Sequence, residues 1–205
     1  DDAVDAAAWE RGVTVYLPDR RSPLYPAVLS EGAASLLPGV DRPALLWSID
    51  LDGRGEPTAV AVERALVRSR RALSYAEAQV EIEAGGPLRH LREVGERRRE
   101  RELERGGVSL TVPVQEVVRE GAGYGLHDET PLPVEDWNAQ VSLLTGMCAA
   151  RIMIDGGVGL FRVLAPADAA DLASLRRSAI TLGVEWPDGR PYGDVVRALD
   201  ASRPG

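Results

Sequence analysis

Residues 13–47, VTVYLPDRRSPLYPAVLSEGAASLLPGVDRPALLW, are the stretch around which the rest of the chain is organised. The opening run alternates apolar and polar side chains, which predicts a short β-strand from Val13 to Leu17. Prolines at positions 18, 23 and 26 then end regular structure. The loop that follows keeps apolar side chains, which is typical of a long loop that packs on a body and shapes a surface.

Short motifs follow one another in this part of the chain in a fixed order. They are Arg11-Gly12, Tyr16-Leu17-Pro18, Pro23-Leu24-Tyr25-Pro26, Leu29-Ser30, Ser35-Leu36-Leu37-Pro38 and Arg42. Their order and spacing resemble the catalytic domain of the ribonuclease II family, the RNB domain. The resemblance continues to about residue 199, so it implies that residues 1–205 are part of one RNB catalytic domain.

Composition limits the kind of nucleic-acid contact that this chain can make. The 205 residues are 44% hydrophobic and 27% charged, which is ordinary for a globular domain. The net charge is −8, which argues against a generally basic nucleic-acid-binding surface. Every basic residue is arginine, the side chain suited to bidentate phosphate contacts. We therefore expect any RNA contact to use arginines gathered along one channel.

The sequence carries no sign of a disulfide, a zinc site or a membrane segment. Cys148 is the single cysteine and lies in an apolar helical run, so we interpret it as a buried, inert thiol. The two histidines are not clustered with it. We find neither a signal peptide nor an apolar run approaching about 18 residues, which predicts a soluble cytoplasmic protein with no membrane partner. The sequence does not predict an oligomeric state.

Cap and turn signals divide the chain into helices and strands. Helices are predicted over 3–10, 74–84, 87–105, 134–155, 168–182 and 193–199, and strands over 44–52, 58–69, 108–112 and 158–164, with weaker strand signals in 114–133. This pattern predicts a mixed α/β (α+β) fold in which a mixed sheet is flanked by helices and helix 134–155 is central. The resemblance adds that this RNB-like domain is incomplete at both ends.

Two charged segments have both a chemical and a structural interpretation. Asp50 and Asp52 have the spacing of a metal-binding pair, but they flank a Gly-rich turn, where aspartate is common for its local hydrogen bonds. We favour the turn. Residues 96–105, ERRRERELER, are either a basic patch or a solvated helix with i,i+4 ion pairs, and we favour the helix.

The resemblance implies degradation of single-stranded RNA from its 3′ end by magnesium-dependent hydrolysis. In the family, the metal ligands are aspartates upstream of the Tyr-Leu-Pro run, and a catalytic arginine lies in a downstream Pro-Leu-Arg-Arg-type segment. Neither motif occurs in residues 1–205. We therefore assign no catalytic residue and no metal ligand to this chain, and we expect it to be inactive by itself.

Two tyrosines correspond to RNA-contacting positions of the family. Tyr75 matches a tyrosine that stacks on the 3′-terminal nucleotide, and Tyr16 matches a second tyrosine near the RNA. Ser74 and Glu77 form a capping-box pattern that places Tyr75 at a helix N-terminus, where free N–H groups favour a phosphate. The alternative for both is a packed tyrosine with its hydroxyl satisfied. The arginines at the end of the preceding strand, Arg68, Arg70 and Arg71, either contact phosphates or are solvated strand-end residues.

Two alignments are possible for a polar pair on helix 134–155. Family members often carry a Glu-Glu pair that faces the RNA, and either Glu135-Asp136 or Ala139-Gln140 takes its place, depending on how helix 134–155 is aligned.

The predicted function is an RNB-type 3′–5′ exoribonuclease whose catalytic groups lie outside this chain. The alternatives are a catalytically inactive RNB-like module that binds RNA or protein, and an interaction domain that never meets RNA.

Overall fold

The computed structural model describes residues 2–109, 114–161, 163 and 167–199. Within them the helices are α1 (Ala3–Arg11), α2 (Tyr75–Glu83), α3 (Arg89–Glu104), α4 (Pro133–Asp155), α5 (Ala169–Thr181) and α6 (Tyr192–Arg197). The strands are β1 (Val15–Tyr16), β2 (Arg21–Ser22), β3 (Asp41–Leu51), β4 (Pro57–Arg68), β5 (Val114–Glu120) and β6 (Gly123–Glu129). A short π-helical segment spans Val28–Ala33. The predicted mixed α/β class is confirmed.

The described strands pair as three separate antiparallel hairpins, β1–β2, β3–β4 and β5–β6. The longest is β3–β4, in which Leu45 lies opposite Arg64. Its turn is stabilised by Asp52, whose Oδ1 accepts hydrogen bonds from the backbone N–H groups of Arg54 at 2.8 Å and Glu56 at 2.9 Å. These two bonds lower the pKa of the Asp52 carboxyl. The interpretation of Asp52 as a turn residue is confirmed.

The core lies where α2 and α3 pack against α4. Ala78 and Ile82 of α2 meet Val134 and Trp137 of α4 in one buried cluster, and Leu91 of α3 packs against it. Gly95 lets α3 approach closely, because a Cβ there would lie 2.5 Å from the Cβ of Trp137. The predicted central position of the long helix is therefore confirmed.

Local end signals account for the helices that were predicted correctly. The Asp2 side chain caps α1, Ser74 and Glu77 form the predicted capping box of α2, and Asp168 caps α5. The apolar stripe of α4 is buried at Val134, Trp137, Leu144 and Cys148, and burial raises the pKa of the Cys148 thiol.

Three strand predictions need correction or lie outside the described residues. The strand expected from Val13 to Leu17 is only Val15–Tyr16, because its partner β2 is two residues long. A strand over 158–164 is wrong for residues 158–161 and 163, which are irregular and pair with no strand that the structure describes. In the strand predicted over 108–112, residues 108 and 109 are irregular, and 110–112 lie outside the described residues.

Helix α3 has the predicted i,i+4 ion pairs but is not solvated all round. Arg92 pairs with Glu96, and Arg97 with Glu93, each at 2.7 Å. Arg98 and Arg101 are buried, because the same helix packs on α4 and on the turn of the β3–β4 hairpin. No helix within the described residues is long and apolar enough to cross a bilayer.

Candidate nucleic-acid interface

Tyr75 is the first residue of α2, directly after the Ser74 cap. The Glu77 N–H donates to Ser74 Oγ at 3.2 Å, and the Ser74 N–H donates to Glu77 Oε2 at 2.7 Å. The bonds from Ser74 lower the pKa of the Glu77 carboxyl. A carboxylate that is ionised at neutral pH therefore lies at this helix end. It opposes the phosphate preference that the sequence suggested.

The Tyr75 side chain lies at the surface rather than in the core. It remains 48% exposed, and its hydroxyl oxygen accepts a hydrogen bond from Asn138 Nδ2 of α4 at 3.2 Å. The hydroxyl is thus held on one side while much of the ring surface stays accessible. A ring in this state can hold any base by its face without reading sequence.

The arginines before Tyr75 differ in whether a carboxylate already holds them. Arg68 Nε lies 2.5 Å from Asp41 Oδ1, and this contact lowers the pKa of the Asp41 carboxyl. Arg71 pairs with Glu81 at 2.6 Å. Arg70 is exposed and forms no ion pair with any carboxylate in the described part of the chain. Arg70 is therefore the cation of this segment that is best placed to meet a phosphate.

Tyr16 lies on the short β1–β2 hairpin and is 77% exposed. Its surroundings are held by Arg11, which donates to the Pro23 carbonyl at 3.0 Å, and by Thr14 Oγ1, which accepts from the Leu24 N–H at 3.0 Å. Among the residues that the structure describes, no hydrogen bond or ion pair links Tyr16 to Tyr75. The two tyrosines thus belong to different elements, Tyr16 to the β1–β2 hairpin and Tyr75 to α2.

The loop before β3 is tied to the segment that carries Arg70. Arg42 donates to the carbonyls of Ser35 at 3.1 Å and Gly32 at 3.2 Å, which holds the loop against β3. The Gly39 N–H donates to the Ser69 carbonyl at 2.8 Å. The loop therefore ends beside Ser69, at the same end of the hairpin as Arg68 and Arg70.

The polar residues considered on α4 are mostly engaged within the protein. Glu135 accepts from the Leu132 N–H at 2.8 Å and caps its own helix, and Asp136 lies 3.4 Å from Arg99. Gln140 is buried and donates to Glu102. The polar side chain of α4 that reaches Tyr75 is Asn138. Sequence reasoning did not assign it a role, because only packing places the two residues together.

Magnesium, which the resemblance implies, finds no suitable ligand set here. The Asp52 carboxylate already accepts hydrogen bonds from the backbone of the hairpin turn. Within the described ranges, no group of three His, Cys, Asp or Glu side chains could hold a metal ion. The described residues therefore do not fit a catalytic metal centre.

Comparison with known proteins identifies a family model and several relatives of this chain. The family model described as the RNB domain matches residues 1–199. Ribonuclease R of Acidithiobacillus ferrooxidans is 35% identical over 89 residues, which is 43% of this chain and 20% of that protein. Ribonuclease R of Escherichia coli strain K12 is 26% identical over 223 aligned residues, covering 98% of this chain and 27% of that protein. The chain thus spans about a quarter or less of the length of these relatives.

Solved structures share the fold at low sequence identity. Mycoplasma genitalium RNase R in complex with double-stranded RNA superposes with a TM-score of 0.85 at 17% identity, covering 96% of this chain and 38% of that one. The same protein in complex with ribose-methylated single-stranded RNA has a TM-score of 0.84 at 18% identity, with 93% and 32% covered. Yeast Ssd1, described as a pseudonuclease, reaches 0.66 at 18% identity, with 92% and 24% covered.

Proposed function

Because the chain belongs to the RNB domain family, we propose that it forms the RNA-holding part of an exoribonuclease that shortens single-stranded RNA from its 3′ end. The metal-binding aspartates and the catalytic arginine of such an enzyme lie outside residues 1–205, and magnesium is bound there. The part described here binds the substrate by Tyr75 and Tyr16, with Arg70 and Arg68 as phosphate contacts. Hydrolysis is not assigned to any of its residues.

The observation that carries this proposal is the state of Tyr75. Its ring is half-exposed, begins a capped helix and has its hydroxyl held by Asn138. A stacked base gains about 1–3 kcal/mol from such a ring, whatever the base. An enzyme that removes nucleotides one after another needs a grip of this kind, because each new 3′ end carries a different base.

The net charge of the chain favours RNA binding through local contacts rather than through electrostatic attraction by the whole surface. The chain has a net charge of −8, so its overall field repels the RNA backbone. Arg70 has no ion-pair partner within the described residues, whereas Arg68 must leave Asp41 to reach a phosphate. We therefore propose that stacking supplies a larger share of the affinity than phosphate contacts do. The salt dependence of binding is correspondingly shallow.

A catalytically inactive RNB-like module that binds RNA or protein is the second candidate function. The observation that favours it is an exposed apolar strip on one face of the β3–β4 hairpin. Leu45 and Leu66 are 63% and 71% exposed there, and the strand register places them on the same face as Val60 and Val62. Exposed apolar patches mark interaction surfaces. The fold likeness to a pseudonuclease is consistent with this alternative.

Fluorescence anisotropy with a 5′-labelled single-stranded RNA tests the proposed function directly. The purified chain should bind the RNA, and Tyr75→Ala should weaken binding by about 5- to 150-fold, the equivalent of the stacking energy. Tyr124→Ala is the matched control, because Tyr124 is 52% exposed but belongs to β6 rather than to α2. Absence of parent binding, or equal binding by the Tyr75→Ala variant, would contradict the proposal.

The location of the catalytic groups is tested by incubating the same RNA with the chain and magnesium. We expect no release of mononucleotides, because the described residues form no metal centre. EDTA-sensitive release that co-purifies with the chain would mean that residues 1–205 do contain the catalytic ligands.

A further inference from the structure

We propose that Asn138 is a positioning residue that holds the Tyr75 ring ready for the 3′-terminal base. This inference rests on the proposed function and adds to it a role for Asn138 of α4. The relevant contact is the hydrogen bond from Asn138 Nδ2 to the Tyr75 hydroxyl oxygen at 3.2 Å, between residues 63 positions apart in the sequence.

Two hydrogen bonds set the register between α2 and α4. Tyr75 meets Asn138, and one turn further along α2 the Gln79 side chain accepts from the Val134 N–H at 2.9 Å. Four residues forward on α2 thus correspond to four residues backward on α4, so the two helices run antiparallel. Because one turn advances about 5.4 Å along either axis, both bonds are satisfied by a single placement of the helices.

Apolar packing makes this register rigid. Ala78 and Ile82 of α2 are buried against Val134 and Trp137, and Trp137 directly precedes Asn138. A cation–π contact from Arg92 of α3 lies 5.8 Å from the centre of the Trp137 ring. The backbone of Asn138 is therefore fixed by three helices, and its short side chain adds few rotatable bonds.

The hydrogen bond from Asn138 leaves the Tyr75 hydroxyl free to donate a hydrogen bond of its own. The Tyr75 oxygen accepts a hydrogen bond from the Asn138 amide, so its own O–H remains available as a donor toward a bound ligand. The bond also restricts rotation of the side chain before RNA arrives. A ring that is already ordered loses less conformational freedom when a base stacks on it, and this gain is the usual benefit of pre-organisation.

A double-mutant cycle on the full chain separates this role from general support of the fold. Asn138→Ala should weaken binding of single-stranded RNA by about 2- to 10-fold, the usual range for one net hydrogen bond. In a Tyr75→Phe background, which keeps the ring and removes the hydroxyl, Asn138→Ala should have no further effect. Equal weakening in both backgrounds, or none in either, overturns the inference.

The structural control is Gln79→Ala, which removes the other bond between the same helices without touching Tyr75. It should lower the melting temperature and leave the RNA affinity of the folded protein unchanged. If Gln79→Ala weakens RNA binding as much as Asn138→Ala does, the effect belongs to the helix pair as a whole and the positioning role is overturned.

An RNA that ends in an abasic nucleotide gives a readout that a merely structural residue would not move. Such an RNA keeps its phosphates but offers no 3′ base, so Asn138→Ala and parent should bind it equally. A loss that persists with the abasic RNA overturns the inference. Failure of the parent to bind any RNA instead contradicts the proposed function itself and the positioning role with it, which distinguishes the two results.

Discussion

Arg98 Nη1 donates a hydrogen bond to the Gly55 carbonyl at 2.8 Å, which joins the middle of α3 to the turn of the β3–β4 hairpin across 43 residues of sequence. The Arg98 side chain is 1% exposed and also lies 3.0 Å from Glu56. A Cβ at Gly55 would lie 3.0 Å from the Cβ of Arg97, so the turn fits closely against the helix. The hairpin is thus held at its turn by one buried cation.

Replacing this cation should measurably loosen the hairpin. We expect Arg98→Met to lower the free energy of unfolding by about 1–3 kcal/mol, because the Gly55 carbonyl loses its partner in a buried setting. Arg97→Met, at the preceding position, should cost at most about 0.5 kcal/mol, because the Arg97 side chain is 41% exposed and loses only its surface pair with Glu93. Urea denaturation of both variants is the measurement, and equal midpoints would contradict the buried role of Arg98.

Two helical glycines should respond in opposite directions to alanine. At Gly95 a new Cβ would lie 2.5 Å from the Trp137 Cβ, so Gly95→Ala should destabilise by about 1–3 kcal/mol through overpacking. At Gly146 no atom lies within 4 Å of the new Cβ, so Gly146→Ala should stabilise by about 0.5–1 kcal/mol through helix propensity. Thermal melts of the pair decide this. A gain in stability at Gly95 would show that α3 and α4 are further apart.

Neighbouring leucines on α4 test which face of that helix is buried. Leu144 is 4% exposed and Leu143 is 44% exposed. Leu144→Ala should therefore destabilise the fold by about 2–5 kcal/mol, as a large core truncation does. Leu143→Ala should cost clearly less. The check is the denaturation midpoint of each variant, and the reverse order would mean that the helix is rotated.

The capping carboxylate of α2 should make stability depend on pH. The pKa of Glu77 is lowered in the folded chain by the bonds from Ser74, so its contribution is present above the ordinary carboxyl pKa and is lost as the pH falls below about 4. Glu77→Gln keeps a capping acceptor but does not titrate in this range. The stability difference between parent and variant should shrink as the pH falls from neutral, and a difference that stays constant would contradict this assignment.

Sequence reasoning predicted well those elements whose signals are local. The capping box at Ser74 and Glu77, the Asp168 cap and the glycines after α4 mark helix ends through contacts within a few residues. The β3–β4 hairpin follows from the turn around Asp52 in the same way. These bonds form between residues that are close in the sequence, so they can be predicted without knowledge of the tertiary structure.

Strand pairing and the surroundings of charged residues were harder to predict. The apolar run from 158 was expected to be a strand, yet the part of it that the structure describes pairs with none of the described strands. Arg98 and Arg101 belong to a run that is typical of a solvated helix, yet packing on α4 and the hairpin turn buries both. Each outcome depends on partners that are distant in sequence, which composition and periodicity do not identify.

In the candidate interface, too, some features follow from local sequence and others from tertiary contacts. The sequence by itself determined the family and the position of Tyr75 at a helix start, because its motifs and its capping box are local patterns. Only the tertiary structure decided that Arg68 is held by Asp41 and that Asn138 reaches the Tyr75 hydroxyl. The physical reason is that hydrogen bonds and ion pairs act over a few ångströms of space. Here the pairing of β3 with β4 and the packing of α2 on α4 bring residues 27 and 63 positions apart within that range.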